Sequence, residues 1–397
     1  MRIAALTRQA VGRAEDGTLV PRTLPGELVE VADDSVRVIE PSTDRVAAPC
    51  KHYRSCGGCA LQHASDDFVA RWKADVVRNA FSAQGLTAEI AEVVTSPPET
   101  RRRAKFSGRR TKKGALVGFH TRASDQIVAV PDCLVLRPRL RELIPALEEL
   151  TREGASRKAE LSLTVTDSAN GADVLVAGGL PLDGPRRMAL AAWAERHGIA
   201  RLTWEDEPVT ARSAPAQTFG PARVTPPPGA FLQATAEGEE ALVSAVIAAL
   251  DGASRVLDLF AGSGTFSFPL ARSAAVHAVE GEAEMIGALQ AAARHASGLR
   301  PITAEVRDLF RRPLEGTELK GFDGAVIDPP RAGAAAQVAA LAEAGPPVVA
   351  MVSCNPASFA RDAAVLCRAG YAMGPVTVVD QFRWSSHVET VARFSRG

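Results

Sequence analysis

Apolar and polar positions change their period along this chain, and the changes divide it into three stretches. Over residues 1–46 the apolar positions come in short alternating runs, Leu28-Val29-Glu30-Val31 and Val36-Arg37-Val38-Ile39, broken by Gly12, Gly17, Pro21, Pro25 and Gly26. Alternation punctuated by turn residues predicts a small β-barrel. Residues 47–64 carry three cysteines and two glycines and predict an irregular loop. Ser65 then suits a helix cap, and Phe68, Val69, Trp72 and Val76 recur at helical spacing until Gly85. Residues 88–215 mix strand-like runs (115–119, 127–130, 161–165, 174–177) with helical ones (140–153, 186–197), an α+β pattern. Pro226-Pro227-Pro228-Gly229 reads as a stiff linker. Beyond it a helix over 236–250 leads into apolar runs at 255–259, 276–280, 323–327 and 348–352, alternating with helical segments. That alternation predicts βαβ units and a parallel sheet.

A chain of 397 residues suits two or three domains. Lys+Arg and Asp+Glu both number 46, so zero net charge argues against a protein that coats nucleic acid without selectivity. A local basic stripe exists nonetheless: from Arg101 to Lys113, eight of thirteen residues are Arg or Lys and none is acidic. Three consecutive arginines cannot all face one way on a strand, so the expectation is that part of the stripe touches phosphate, with Arg102 as its probe. No signal peptide and no run long enough to span a membrane is visible, so a cytoplasmic protein is expected, and with no extra apolar surface announced, a monomer. In that compartment six cysteines point to metal or catalysis rather than disulfides.

Three motifs fall at the ends of predicted parallel strands. Val256–Phe260 runs into Ala261-Gly262-Ser263-Gly264-Thr265, where glycines let the backbone turn sharply against a ligand and a helix is expected to open at Phe266. The third glycine of a dinucleotide fingerprint is missing. Glu280, ending the next strand, can accept from ribose hydroxyls. Asp308, beyond a third run at 302–306, can accept from an adenine amino group. Together they favour S-adenosylmethionine over a dinucleotide. Asp328-Pro329-Pro330-Arg331 follows the fourth strand and turns the Asp328 carboxylate toward the same edge. Cys354, in Ser353-Cys354-Asn355-Pro356, follows the fifth strand and is placed as a nucleophile. Glu389 in Ser386-His387-Val388-Glu389 is the matching base, with His387 on its face, whereas Cys367 is read as a small core residue.

Cys50, Cys56 and Cys59 form C-x5-C-x2-C, with Cys133 far downstream. Four thiolates suit a [4Fe-4S] cluster or zinc, and the uneven spacing favours iron–sulfur. A structural role is expected, because the proposed chemistry moves no electrons.

These pieces resemble the bacterial RNA uracil-5-methyltransferases, in particular the iron–sulfur 23S ribosomal RNA branch. The likeness spans Leu24-Pro25-Gly26-Glu27, the four cysteines, Phe231-Leu232-Gln233, Leu257–Phe268, Asp328–Gly333, Ser353–Pro356 and His387-Val388-Glu389. It implies an α/β fold with a TRAM-like barrel (1–46), a central α+β domain with the iron–sulfur loop and RNA contacts (47–225) and a class I, Rossmann-like, methyltransferase domain (226–397). It implies that Cys354 is the nucleophile and Glu389 the base. It implies that Gln233, Phe260, Thr265, Glu280, Asp308 and Asp328 line the S-adenosylmethionine site, and that Cys50, Cys56, Cys59 and Cys133 hold a [4Fe-4S] cluster. The implied partner is RNA, ribosomal first and transfer RNA second, with no membrane. Thr235 and Arg383 stand where the family usually has Asn and Pro; Thr still caps a helix. The competing class is an iron–sulfur RNA-binding protein without catalysis, which intact Cys354 and Glu389 argue against. Cytosine-5 enzymes share the thiol chemistry but usually carry proline directly before the cysteine, where this chain has Ser353.

Overall fold

The computed structural model describes residues 1–32 and 35–397. Its N-terminal strands form two small sheets, Ile3–Leu6, Val11–Ala14 and Leu19–Pro21 in one, Leu28–Ala32 and Ser35–Glu40 in the other. Backbone bonds from Ile3 N to Glu27 O and from Val29 N to Met1 O stitch the two together around Ile3, Ala14, Val20 and Val29. The sequence predicts a small β-barrel here, and an isolated antiparallel bridge between Arg2 and Leu28 joins the two sheets. Among the described residues, those four buried apolar side chains form the core between the sheets, while Ala10 and Leu24 pack against Leu61 and Trp72 instead.

Helix α1 (Asp66–Ser82) follows, its first turn capped by Ser65 Oγ accepting from Phe68 N at 3.2 Å. It leads to strand β1 (Ile90–Thr95). The basic stripe is itself a strand, β2 (Arg103–Arg110), in a seven-stranded sheet between Glu160–Ser168 and Ala115–His120. Ala104, Phe106 and Gly108 alternate inward, a period of two that the crowd of arginines hides in the sequence. The helix expected over 140–153 is two pieces, Pro138–Glu142 and Ile144–Gly154; Pro145, which has no N–H to donate, sits in the first turn of the second.

The last part of the chain supplies β3 (Arg255–Leu259), β4 (Ala275–Glu280), β5 (Ile302–Val306), β6 (Gly324–Ile327), β7 (Val348–Ser353), helix α2 (Pro356–Arg368), β8 (Ala372–Asp380) and β9 (Glu389–Ser395). They assemble in the order β5-β4-β3-β6-β7-β9-β8-β1, with β3 to β7 parallel and β9 antiparallel to both its neighbours. Strand β1 completes the edge, parallel to β8, and Phe81 of α1 meets Phe359 of α2 edge-on at 5.4 Å. Residues 66–95 therefore belong with the C-terminal sheet, across the boundary expected at 225/226. A half-exposed edge strand such as β1 carries no mark of which sheet it will join.

Two buried ion pairs tie the parts together. Lys73 of α1 reaches Asp380 at 2.5 Å and donates to His387 O at 2.8 Å, fixing the loop between β8 and β9. Arg102 is 5% exposed, bonds Gln233 O through Nε and pairs with Glu239 at 2.5 Å. This corrects the expectation that Arg102 touches phosphate: it is a core residue. Arg102→Glu would set two carboxylates together out of water, at a cost of about 3–5 kcal/mol of stability. A thermal melt should show that loss, and RNA binding should fall equally at low and high salt. A loss that fades as salt rises would restore Arg102 as a phosphate contact.

Candidate active site

The parallel strands bring their C-terminal ends to one edge, and β9, running the other way, begins there. Ser353 pairs with Thr390 across β7 and β9, which sets Cys354 beside Glu389. A cleft of about 1040 Å³ opens over this edge. Gln233, Phe260, Glu280, Asp308, Asp328, Cys354 and Glu389 all line it, so seven positions spread over more than 150 residues of sequence converge. Thr265 is the exception: it lies beyond the glycine turn and does not line the cleft.

Local geometry explains the convergence. Phe260 adopts φ +63°, unusual for a side chain larger than glycine, and turns its ring to the cleft against Phe310 at 5.3 Å. Gly264 has φ +98°, and a Cβ there would strike the Phe268 ring at 2.7 Å. The helix expected at Phe266 is a single turn, Ser267–Leu270, too short to act through a helix dipole. The loop is instead held by Glu280, whose two oxygens accept from Gly262 N and Glu282 N at 3.0 Å each. Each carboxylate oxygen keeps a lone pair for a ligand hydroxyl. Asp308 Oδ1 caps its own turn by accepting from Phe310 N at 2.9 Å. Asn355 caps α2 and donates from Nδ2 to Arg331 O at 2.8 Å, locking the cysteine turn to the Asp-Pro-Pro-Arg turn.

The floor of the cleft is acidic, with Asp328 and Glu389 both lining it. Burial raises Asp328 to about 7, helped by the neighbouring Asp258, which burial also raises to about 7. Burial and then Asp328 raise Glu389 to about 8. Burial raises the Cys354 thiol to about 11, with Glu389 and Asp328 adding to it and Arg331 opposing. A carboxyl poised near neutrality beside a thiol is suited to proton removal. His387 lines the cleft from the loop before β9, with Nδ1 3.4 Å from the Arg331 guanidinium, rather than from the strand itself.

Several residues escaped the sequence reading. Asp258 was signalled, a carboxylate in an otherwise apolar buried strand, Val256-Leu257-Asp258-Leu259. Gln381 and Phe310 carry no sequence signal: Gln381 donates from Nε2 to Gln233 Oε1 at 2.5 Å and to Glu389 Oε1 at 3.1 Å. The rim is basic, with Arg101, Lys105, Arg122 and Arg331 lining the cleft. Among the described residues none of these four is paired with a carboxylate. The stripe thus sends Arg101 and Lys105 to the cleft, while Arg109 pairs with Glu160.

The four cysteines come near one another beside that rim. Cys59 is pushed up to about 12 by burial and by Cys133, Cys56 and Cys50, and Cys133 is raised by burial and by Cys56 and Cys50. Gly58 N donates to Cys56 Sγ at 3.4 Å. All four are free thiols. Among the described residues no three His, Cys, Asp or Glu side chains close around a single ion position. Cys59 and Cys133 are buried and Cys50 and Cys56 half-buried, and thiols are the donor type that an iron–sulfur cluster takes.

Comparison with known proteins places this geometry. The family model described as tRNA (uracil-5-)-methyltransferase matches residues 225–396. An RNA methyltransferase of Rhizobium meliloti is 42% identical over 97% of this chain and 96% of its own. The 23S rRNA (uracil(1939)-C(5))-methyltransferase RlmD of Shewanella amazonensis is 34% identical over 94% of this chain and 90% of its own. The Pyrococcus abyssi tRNA (uracil-54, C5)-methyltransferase, solved with S-adenosyl-L-homocysteine, shares the fold at a TM-score of 0.78, with 22% identity, over 99% of this chain and 98% of that one.

Proposed function

The chain belongs to the RNA uracil-5-methyltransferase family, and we propose that it methylates carbon 5 of a uridine in 23S ribosomal RNA through a covalent adduct with Cys354. The observation that carries the reading is the meeting of Cys354 and Glu389 above Asp328, at the strand edge that also holds the Glu280 loop. Ribosomal RNA is preferred over transfer RNA because the relative at 34% identity over 94% of the chain acts on 23S RNA.

S-adenosylmethionine supplies an electrophilic methyl group on a sulfonium. Glu280 would accept from its ribose hydroxyls and Asp308 from its adenine amino group, with the Phe260 and Phe310 rings beside the base. Gln233 and Asp328 complete the set, and Thr265 is left out of it. Carbon 5 of uracil is a weak nucleophile. Addition of the Cys354 thiolate to carbon 6 places electron density on carbon 5, which takes the methyl group. S-adenosylhomocysteine is left, Glu389 takes the proton from carbon 5, the carbon–sulfur bond breaks with its electrons going to sulfur, and 5-methyluridine leaves with the Cys354 thiolate restored. Cys50, Cys56, Cys59 and Cys133 would hold a [4Fe-4S] cluster that braces the wall next to Arg101 and Arg122, with no electron moved in the reaction.

The test is a methyl-transfer assay with anaerobically purified protein, labelled S-adenosylmethionine and unmodified ribosomal or transfer RNA. The expected result is label in 5-methyluridine from 23S RNA only, with about four iron atoms per chain. Label from transfer RNA alone would reverse the substrate assignment, and iron-free active protein would remove the cluster.

A further inference from the structure

Two functional side chains, Gln233 and Glu389, come from opposite ends of the C-terminal half, and one amide joins them. Gln381 is 2% exposed and directly follows β8, opening the loop to β9. Its Oε1 accepts from Ala234 N at 2.6 Å, which fixes which end of the amide is oxygen. Its Nε2 must then spend both hydrogens, one on Gln233 Oε1 at 2.5 Å and one on Glu389 Oε1 at 3.1 Å. Two orientations follow. Gln233 has its oxygen occupied, so its NH2 group, which bonds no protein atom among the described residues, is the end offered to the cleft. Glu389 has Oε1 occupied, so Oε2 is the oxygen left for the cleft.

We propose that Gln381 is a positioning residue that couples the two halves of the reaction, holding Gln233 with its amide donor toward the methyl-donor site and Glu389 with its free oxygen toward the carbon to be deprotonated. The inference rests on the reading above that Glu389 is the base. The charged and titratable groups facing Glu389 are Asp328 from the β6 end, Cys354 from the β7 end and Arg331 from the Asp-Pro-Pro-Arg turn. Gln381 supplies a neutral N–H bond to its carboxylate form, and such a bond favours ionisation.

Gln381→Met keeps the length and removes all three hydrogen bonds. In the folded variant, binding of S-adenosylhomocysteine should weaken about tenfold, as for loss of a fixed polar contact. The acid limb of the pH–rate profile should also move to higher pH, because the base now ionises later. Gln381→Glu, which can still accept from Ala234 N but donates to neither partner, should move that limb further in the same direction, since a second negative charge faces Glu389. This second variant keeps the test open should Gln381→Met fail to fold. A residue that serves packing alone would lower the melting temperature and leave the limb in place. Folded Gln381 variants with native S-adenosylhomocysteine affinity and an unmoved limb would overturn the inference. Glu389→Gln is the control: full turnover in it would mean that the assignment of the base is wrong, whatever the Gln381 variants do.

Discussion

Cys354→Ser protein will bind RNA with native affinity and transfer no measurable methyl group, a loss on the order of 10⁴-fold or more, as expected when a nucleophile acting in concert with its neighbours is removed. The serine hydroxyl is similar in size, so the half-exposed turn before α2 keeps its shape and Asn355 keeps its cap. What disappears is the group proposed to add to carbon 6. In the resting site that group is a thiol, since burial and the facing carboxyls push it to about 11. Thiolate must form for the addition, and Arg331 is the charged neighbour that favours it. The decisive readout is a gel-stable protein–RNA complex formed with RNA carrying 5-fluorouridine, where carbon 5 has no proton to give up. Native protein should be trapped and Cys354→Ser should not. Trapping by the serine variant would move the nucleophile elsewhere, and loss of RNA binding with catalysis would point to a disturbed fold.

The chemistry was far more legible in the sequence than the scaffold around it. Strand ends in a parallel sheet gather at one edge whatever the loops between them do, so Glu280, Asp328 and Cys354 could be placed from apolar runs alone. Glu389 needed only the further step that an antiparallel last strand starts where the others finish. Thr265 failed for the opposite reason. It sits inside a turn, where the backbone and not a strand direction decides which side chain meets the cleft, and Phe260 with its positive φ takes that place. Long-range pairings stayed invisible: β1 joining β8, Arg102 meeting Glu239, and Gln381 bridging Gln233 and Glu389 each link positions that no local period connects. Arg102 is the sharpest case, a charge read as solvent-facing because arginines usually are, and buried because Glu239 and Gln233 O wait for it.

Glu389→Gln should stall the reaction after methyl transfer rather than before it, so that methylated RNA accumulates covalently bound to Cys354 on ordinary uridine. The amide can hold the same position, with Gln381 alongside, but it cannot take the proton from carbon 5. Without that step the carbon–sulfur bond has no route to break, and turnover should fall about 10²–10⁴-fold. The native enzyme's pH dependence follows from the same group. Burial and Asp328 raise Glu389 from the ordinary value of 4.5 to about 8, and only the ionised form is a base. Release of 5-methyluridine should therefore climb through pH 7 to 9, and in Glu389→Gln that limb should vanish. Stability runs the other way. The folded state favours the protonated carboxyl, so between pH 4.5 and about 8 it binds more protons than the unfolded chain and loses stability as pH rises. Glutamine carries no such penalty, and the variant should melt at or above the native temperature at pH 8. A variant that melts lower and forms no adduct would mean a structural role for Glu389; one that melts higher and holds its methylated RNA would identify the carboxyl whose burial destabilises the fold as the one the final proton transfer requires.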